Sequence, residues 1–266
     1  KLVIKDKTHK STDKWCTIVK DGGKFMHESS MLRMQWFANK YLQAKSKVKV
    51  LDVGSYDVNG CYREIFTSKG HEYKGLDMEQ GPNVDICPKN AYAWNELAND
   101  EYDVVVSGQA LEHIEFFWVT MGEIVRVVKK GGLICLIAPN GFEEHRYPVD
   151  CWRFFTDGMI AIARYYKLEI IHTHTNAGPK IDGEKWFSEK YADSMLIAKK
   201  NYEGEAKVCD LENYECTPAK QEDLRGDLIT YKEKKLKEAK PQEREKIKKV
   251  KNMVDKIMRK FTWNKQ

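Results

Sequence analysis

The 266-residue chain is 42% hydrophobic and 32% charged, enough apolar material for one core of ordinary enzyme size, and its formal net charge of +5 is unevenly placed. Residues 244–260, REKIKKVKNMVDKIMRK, hold eight Lys or Arg against two acids, a net of +6. The remaining chain therefore stands at about −1 and lacks the broad basic surface of a nucleic-acid binder.

No apolar run approaches the roughly 20 residues of a membrane-spanning helix. Seven cysteines, at 16, 61, 87, 135, 151, 209 and 216, form no CxxC pair and no zinc-type cluster. Reduced thiols and a cytoplasmic setting are expected. The opening KLVIKDKTHK has no signal-peptide pattern. Because the chain starts at Lys1 rather than Met, it is expected to be a trimmed fragment of something longer.

Along the chain, HESSMLRMQWFANKYLQ reads as a helix over 29–43, with Ser29 or Ser30 as N-cap, lying over the open end of a sheet. From about 48 to 140, apolar runs alternate with helical segments. They are KVLDV, a helix over 58–69, EYKGLD, NVDI, a helical turn near 91–98, YDVVVS, a helix over 117–129 and GLICLIA. Strands this apolar, separated by helices, predict a parallel sheet covered on both faces.

A loop over 139–153 leads to a helix over 157–166, then to LEIIHTHT and SMLIAKK. Two successive strands without a crossover helix predict an antiparallel hairpin at the sheet edge. After an irregular stretch to about 218, two Lys/Glu-rich helical segments are divided by Pro241. In the second, Ile247, Val250, Val254, Ile257 and Phe261 form one apolar stripe, which packs back on the domain or pairs with another chain as an oligomer. The division expected is an N-terminal segment and lid helix over 1–47, a core over 48–200 and a basic helical extension over 201–266.

The first strand-to-helix turn, VKVLDVGSYDVNG at 48–60, falls where doubly wound sheets bind ligands. Asp52 closes the strand, and Gly54 lets a ligand approach the backbone. A dinucleotide turn would bring three glycines around a pyrophosphate. Here Ser55, Tyr56 and Asp57 follow Gly54, and Asp57 would repel a diphosphate while tolerating a cationic ligand.

With these residues in view, the chain resembles the class I S-adenosylmethionine-dependent methyltransferases over about residues 25–200. VLDVGSYDVNG resembles their first motif, with Tyr56 where a second glycine is usual. YKGLDM resembles the second, which implies that Asp77 accepts the ribose hydroxyls with Met78 beside the adenine. YDVVVSGQALEH and IVRVVKKGGLICLIAPNG resemble the fourth-strand and fifth-strand blocks.

The resemblance implies a Rossmann-like α/β fold with a mostly parallel seven-stranded sheet, an antiparallel edge hairpin and a C-terminal helical extension. It also implies S-adenosylmethionine as methyl donor, with S-adenosylhomocysteine as product. The expected cofactor-binding set is Asp52, Gly54, Ser55, Tyr56, Asp77, Met78, Asp85, Ser107 and Gln109. Several have a plainer reading: Asp52 as a helix cap, Asp77 and Asp85 as turn acids, and the stretch around Gly108 as a tight turn.

The loop PNGFEEHRYPVDCWRFF, 139–155, is too polar and aromatic for a plain connector. Its HRYPVDCWRF resembles a block of methyltransferases encoded beside polysaccharide-building enzymes, which implies a sugar hydroxyl of a glycan as acceptor and a place as one domain of a larger glycan-building protein, such as a glycosyltransferase chain. A hydroxyl is hardly ionised at neutral pH, so a general base is expected. His145 is the first choice, with Asp150 to orient it or replace it and His113 as the other candidate.

Arg146, Tyr147, Trp152 and Arg153 are candidates for gripping a sugar, although Trp152, Phe154 and Phe155 equally suit a core anchor. Metal-free chemistry is expected: His172 and His174 have no carboxylate at ligand spacing, and Glu112 and Glu115 are weak candidates. The competing readings are an RNA or small-molecule methyltransferase, an NAD(P)-binding oxidoreductase, and a binding module that has lost its chemistry.

Overall fold

The computed structural model describes residues 28–42, 47–141, 143–175 and 192–214. Its elements are α1 (Glu28–Leu42), β1 (Lys49–Val53), α2 (Arg63–Thr67), β2 (Glu72–Leu76), β3 (Tyr102–Gly108), α3 (Phe117–Val127), β4 (Val128–Gly141), α4 (Thr156–Tyr165), β5 (Glu169–Thr175) and β6 (Ala192–Lys199). A single 3-10 turn, Leu111–His113, follows β3. The basic tail, Pro241 and the stripe from Ile247 to Phe261 lie outside the described residues.

The strands form one sheet in the order β2-β1-β3-β4-β6-β5. β1 pairs in parallel with β2 and β3, and β3 with β4, while β6 runs antiparallel to both β4 and β5. The expected edge hairpin is present, and its second strand inserts between β4 and β5 so that β5 becomes the edge.

Alternation along the strands builds two cores. On one face Leu51, Val53, Val105, Ile134, Leu136 and Leu196 pack against Met121, Ile124 and Val125 of α3 and Met159 and Ala163 of α4. On the other, Val50, Val104, Val106, Cys135, Ile137 and Ile197 pack against Met34, Phe37 and Leu42 of α1 and Ile65 and Phe66 of α2.

The overall class agrees with the sequence reading, but the seven-strand count is not confirmed. Six strands form the sheet among the described residues, and NVDI adds one isolated parallel bridge, Leu76 to Ile86. The helix expected over 58–69 is only the five-residue α2. Asp57 Oδ1 instead accepts the Gly60 N–H at 2.7 Å, a local turn that competes with helix initiation. No helix forms over 91–98, where Glu123 Oε2 accepts the Trp94 N–H at 2.7 Å.

The chain stays attached to the domain beyond residue 200. Lys200 is buried, and its ammonium donates to Asp100 Oδ1 (2.8 Å) and to the carbonyls of Val128 (2.9 Å) and Gly204 (2.8 Å). The Tyr202 hydroxyl donates to the Tyr166 carbonyl at 2.7 Å, and the Cys209 N–H to that of Tyr165 at 2.7 Å. Cys61, Cys87, Cys135, Cys151 and Cys209 are free thiols, and among the described residues no helix is long and apolar enough to cross a membrane.

Candidate active site

Strand order reverses at β1, whose neighbours β2 and β3 leave in opposite directions, so a crevice opens at their carboxyl ends. The turn leaving β1 is pinned there by the N–H groups of Gly54 and Ser55, which both donate to the Leu76 carbonyl at 2.9 and 3.1 Å. Gly54 has φ +76°, and a Cβ on it would stand 2.2 Å from Ala110 Cβ. Backbone conformation and close approach both require glycine at this point.

Asp52, 2% exposed, sits beneath the turn and accepts the Tyr73 hydroxyl hydrogen at 2.5 Å. Burial pushes its carboxyl up to about 7, with the Tyr73 bond acting in the opposite sense. Asn83 Nδ2 ties this layer to the turn, donating to Tyr73 Oη (2.9 Å) and to the Ser55 carbonyl (2.8 Å). Ser55 is itself buried and donates to the Asn83 carbonyl at 3.3 Å.

Asp77, just beyond β2, faces the turn. Its carboxylate accepts the Tyr56 N–H and the Glu79 N–H, each at 3.1 Å. The Tyr56 ring lies against Gly81, where an added Cβ would come within 2.2 Å of it. Met78 is 67% exposed. Asp85 accepts the Gly75 N–H at 2.8 Å and the Arg63 guanidinium at 2.7 Å; burial pushes its carboxyl up, and these donors outweigh it and hold it below its ordinary value. Its carboxylate is thereby committed to the end of β2.

At the end of β3, buried Ser107 donates to the Val53 carbonyl at 2.8 Å. Gln109, at φ +57°, reaches back with Nε2 to Asp193 Oδ1 at 3.0 Å and Ser30 Oγ at 3.4 Å. Its Oε1 is buried without a partner. Ser29 also donates to Asp193, and Arg33 Nη1 lies 3.4 Å from the same carboxylate, so one acid joins α1, β6 and the end of β3.

The segment leaving β4 folds back onto the turn after β3. The Glu112 carbonyl accepts the N–H groups of Cys151 and Trp152 at 2.7 and 3.3 Å, and Trp152 Nε1 donates to the Ile114 carbonyl at 3.0 Å. The Trp152 ring stands edge-on to Phe117 and Trp118, with centroids 5.3 and 5.9 Å away, so it anchors the loop. Asp150 is clamped by Arg153 and accepts the His145 N–H at 2.7 Å. The Arg153 hydrogen bonds, above all, hold its carboxyl well below the usual carboxylate range. Arg146 pairs with Glu144 at 2.8 Å, and Tyr147 is exposed.

The result is that His113 and His145, far apart in sequence, meet edge to face with centroids 5.1 Å apart. His113 Nδ1 is 2.5 Å from the Val149 carbonyl and His145 Nδ1 is 3.0 Å from that of Glu143. A carbonyl only accepts, so Nδ1 carries the proton in both rings and Nε2 is the basic nitrogen of the neutral imidazole. Desolvation lowers the His113 pKa further and keeps that ring neutral.

Beside them lies Glu112, fully buried and with neither carboxylate oxygen hydrogen-bonded. Desolvation pushes its carboxyl up to about 8. Sequence reasoning gave Glu112 little weight. The available signal was an acid set between apolar Leu111 and the His113–Ile114 pair directly after a buried strand. His172 and His174, by contrast, hydrogen-bond each other at 2.9 Å and belong to no three-ligand cluster among the described residues.

Comparison with known proteins supports a methyltransferase fold. Residues 51–136 match the family model described as a methyltransferase domain. The sequence has no significant match among curated proteins. Among solved structures, a candidate methyltransferase from Bacillus halodurans C-125 is 14% identical with a TM-score of 0.50, covering 65% of this chain and 100% of that one. The 1,6-didemethyltoxoflavin-N1-methyltransferase of Burkholderia thailandensis, solved with its acceptor and S-adenosylhomocysteine, is 11% identical with a TM-score of 0.51, covering 66% and 80%. At such identities the likeness is one of fold.

Proposed function

We propose that this chain, an S-adenosylmethionine-dependent methyltransferase, methylates a sugar hydroxyl of a glycan. The crevice fits that cofactor. Asp77 stands at the end of β2 with the charge to accept ribose hydroxyls, and the orphaned, buried Oε1 of Gln109 suits an ammonium donor. When bound, S-adenosylmethionine supplies a methyl group already activated on a sulfonium.

The protein's own task is then to hold a nucleophile in line, exclude water and take up a proton. The observation that carries the hydroxyl reading is the pair of imidazoles with Nδ1 tied to carbonyls and Nε2 left as the nitrogen able to accept a proton, in the turns that follow β3 and β4. An amine or thiolate acceptor has little need of such a base, whereas an un-ionised hydroxyl does. His145 is the proposed base and His113 its neighbour in reserve. Asp150, gripped by Arg153, orients the His145 backbone. Exposed Tyr147 and Arg146 offer a ring face and a forked donor to a sugar.

A small-molecule acceptor is the second reading. It draws on the exposed aromatic side chains Phe116, Trp118 and Phe155, which suit a planar ligand better than a polar one. Calorimetry with S-adenosylmethionine and NAD, followed by transfer of labelled methyl to a panel of oligosaccharides and of hydroxylated aromatic compounds, separates the readings. The expected result is binding of S-adenosylmethionine alone and labelling of a saccharide. Labelling confined to the aromatic compounds would replace the glycan reading with the second.

A further inference from the structure

We propose that Glu112, His113 and His145 are the protein ligands of one divalent first-row transition ion, of the zinc, manganese or cobalt class. One ligand atom from each lies within 4.8 Å of the others. Glu112 Oε1 is 3.8 Å from His113 Nε2.

The independent sign is the carboxylate itself, buried completely with both oxygens unpartnered. A carboxyl group in that condition costs stability unless a cation or donor meets it. Among the described residues no donor hydrogen-bonds either oxygen, and the groups within reach are the two imidazoles. Glu112 is held there from behind, because its backbone carbonyl receives the Cys151 and Trp152 N–H groups.

The imidazoles are prepared for coordination in the way metal-bound histidines usually are. His113 Nδ1 donates to the Val149 carbonyl, and His145 Nδ1 stands 3.0 Å from the Glu143 carbonyl and 3.5 Å from Asp150. Such outer hydrogen bonds fix the tautomer and leave Nε2 as the ligand atom.

Two nitrogens and one carboxylate suit zinc and its first-row neighbours, whereas magnesium and calcium prefer oxygen throughout. Ligand atoms around an ion with bonds of about 2.1 Å stand roughly 3.4 Å apart in a tetrahedron. Binding therefore draws the ligand atoms together by about 0.4 Å for Glu112 and His113 and by at most about 1.4 Å for any pair, within reach of side-chain rotation. Three protein ligands leave a position open. On the sugar-hydroxyl reading, from which this part alone follows, the acceptor oxygen occupies it. The chemistry differs from the metal-free route expected of the sequence: with the ion bound, His113 and His145 are ligands rather than bases, and the ion would instead make the bound hydroxyl more acidic, its proton leaving to solvent.

The test is direct metal binding by the whole chain after chelator treatment. Zn²⁺ and Mn²⁺ are titrated calorimetrically, and Co²⁺ is followed by its visible absorption. One equivalent should bind, and Glu112→Gln and His145→Ala should each weaken binding by at least about 100-fold, since outer-sphere partners alone are worth 10- to 100-fold. Glu112→Gln preserves shape, and His145→Ala lies in the half-buried loop, so one of them reports even where the other fails to fold. Absence of stoichiometric binding, or wild-type affinity in both variants, overturns the proposal. Stoichiometric binding without methylation of any saccharide leaves the metal site standing and removes only the acceptor.

Discussion

Arg153 grips both carboxylate oxygens of Asp150, Nη1 to Oδ1 at 2.5 Å and Nη2 to Oδ2 at 2.8 Å, from three residues away in the same loop. The Asp150 side chain is 1% exposed, and its Oδ2 also accepts the His145 N–H. This pair therefore sets where His145 stands. Arg153→Met leaves the Asp150 carboxylate with the His145 N–H but without its ion-pair partner and should cost about 1–3 kcal/mol. Arg153→Lys loses the forked geometry and keeps the charge. The lysine variant should lower kcat while leaving S-adenosylmethionine affinity near wild type; unchanged kcat would remove the loop from the chemistry.

Asp77 serves the turn as well as the crevice, since it accepts the Tyr56 and Glu79 N–H groups. Asp77→Ala should weaken S-adenosylmethionine binding by about 10- to 150-fold, the range for losing charged hydrogen bonds. Asp77→Asn keeps one acceptor oxygen for the turn, loses the other bond and loses the charge. It should melt closer to wild type than Asp77→Ala yet still bind weakly by calorimetry. Full affinity in both variants would mean that the ribose site lies elsewhere.

Gly54 combines φ +76° with a position where an added Cβ would stand 2.2 Å from Ala110 Cβ. Gly54→Ala should destabilise the fold by about 2–4 kcal/mol through overpacking and left-handed strain together. It should also reduce cofactor affinity, because the β1 turn would have to move off Ala110. A melting temperature equal to wild type would contradict the contact.

Asp52 makes stability depend on pH. Its carboxyl is raised to about 7 by burial, against about 4 in an unfolded chain. The folded state therefore holds its proton more tightly, so the stabilising contribution is complete below about pH 4. It is lost as pH rises through about 7. Urea unfolding at pH 4, 5.5 and 8 should show the wild type losing stability relative to Asp52→Asn, by up to about 4 kcal/mol across the range. Parallel profiles for the two proteins would show that Asp52 titrates normally.

Much of the architecture could be read from residue order because period and composition are local properties. KVLDV, YDVVVS and GLICLIA carry apolar residues on both faces, which suits strands buried between helices, and EYKGLD stands out by its place in the alternation. NVDI misled for the opposite reason. Four residues with one exposed acid carry little apolar surface, and Asp85 is drawn instead into the pairing of Gly75 and Arg63.

The candidate site was legible in part. Asp52, Gly54 and Asp77 announced themselves because strand ends in a doubly wound sheet are fixed by connectivity. Asp150 drew notice as a possible base, yet the fold gives its lone pairs to Arg153 and the His145 N–H. Arg33 and Asp193, 160 residues apart, gave no local hint of their pairing.

The sequence alone determined the order of strands and helices and the acids that close β1 and β2, since these depend on hydrophobic alternation and turn chemistry within a few residues. The fold alone decided that Glu112 and His113 after β3 would meet His145 after β4. That encounter rests on the Glu112 carbonyl capturing the N–H groups of Cys151 and Trp152, a long-range bond between backbone groups that are chemically alike at every position in the chain.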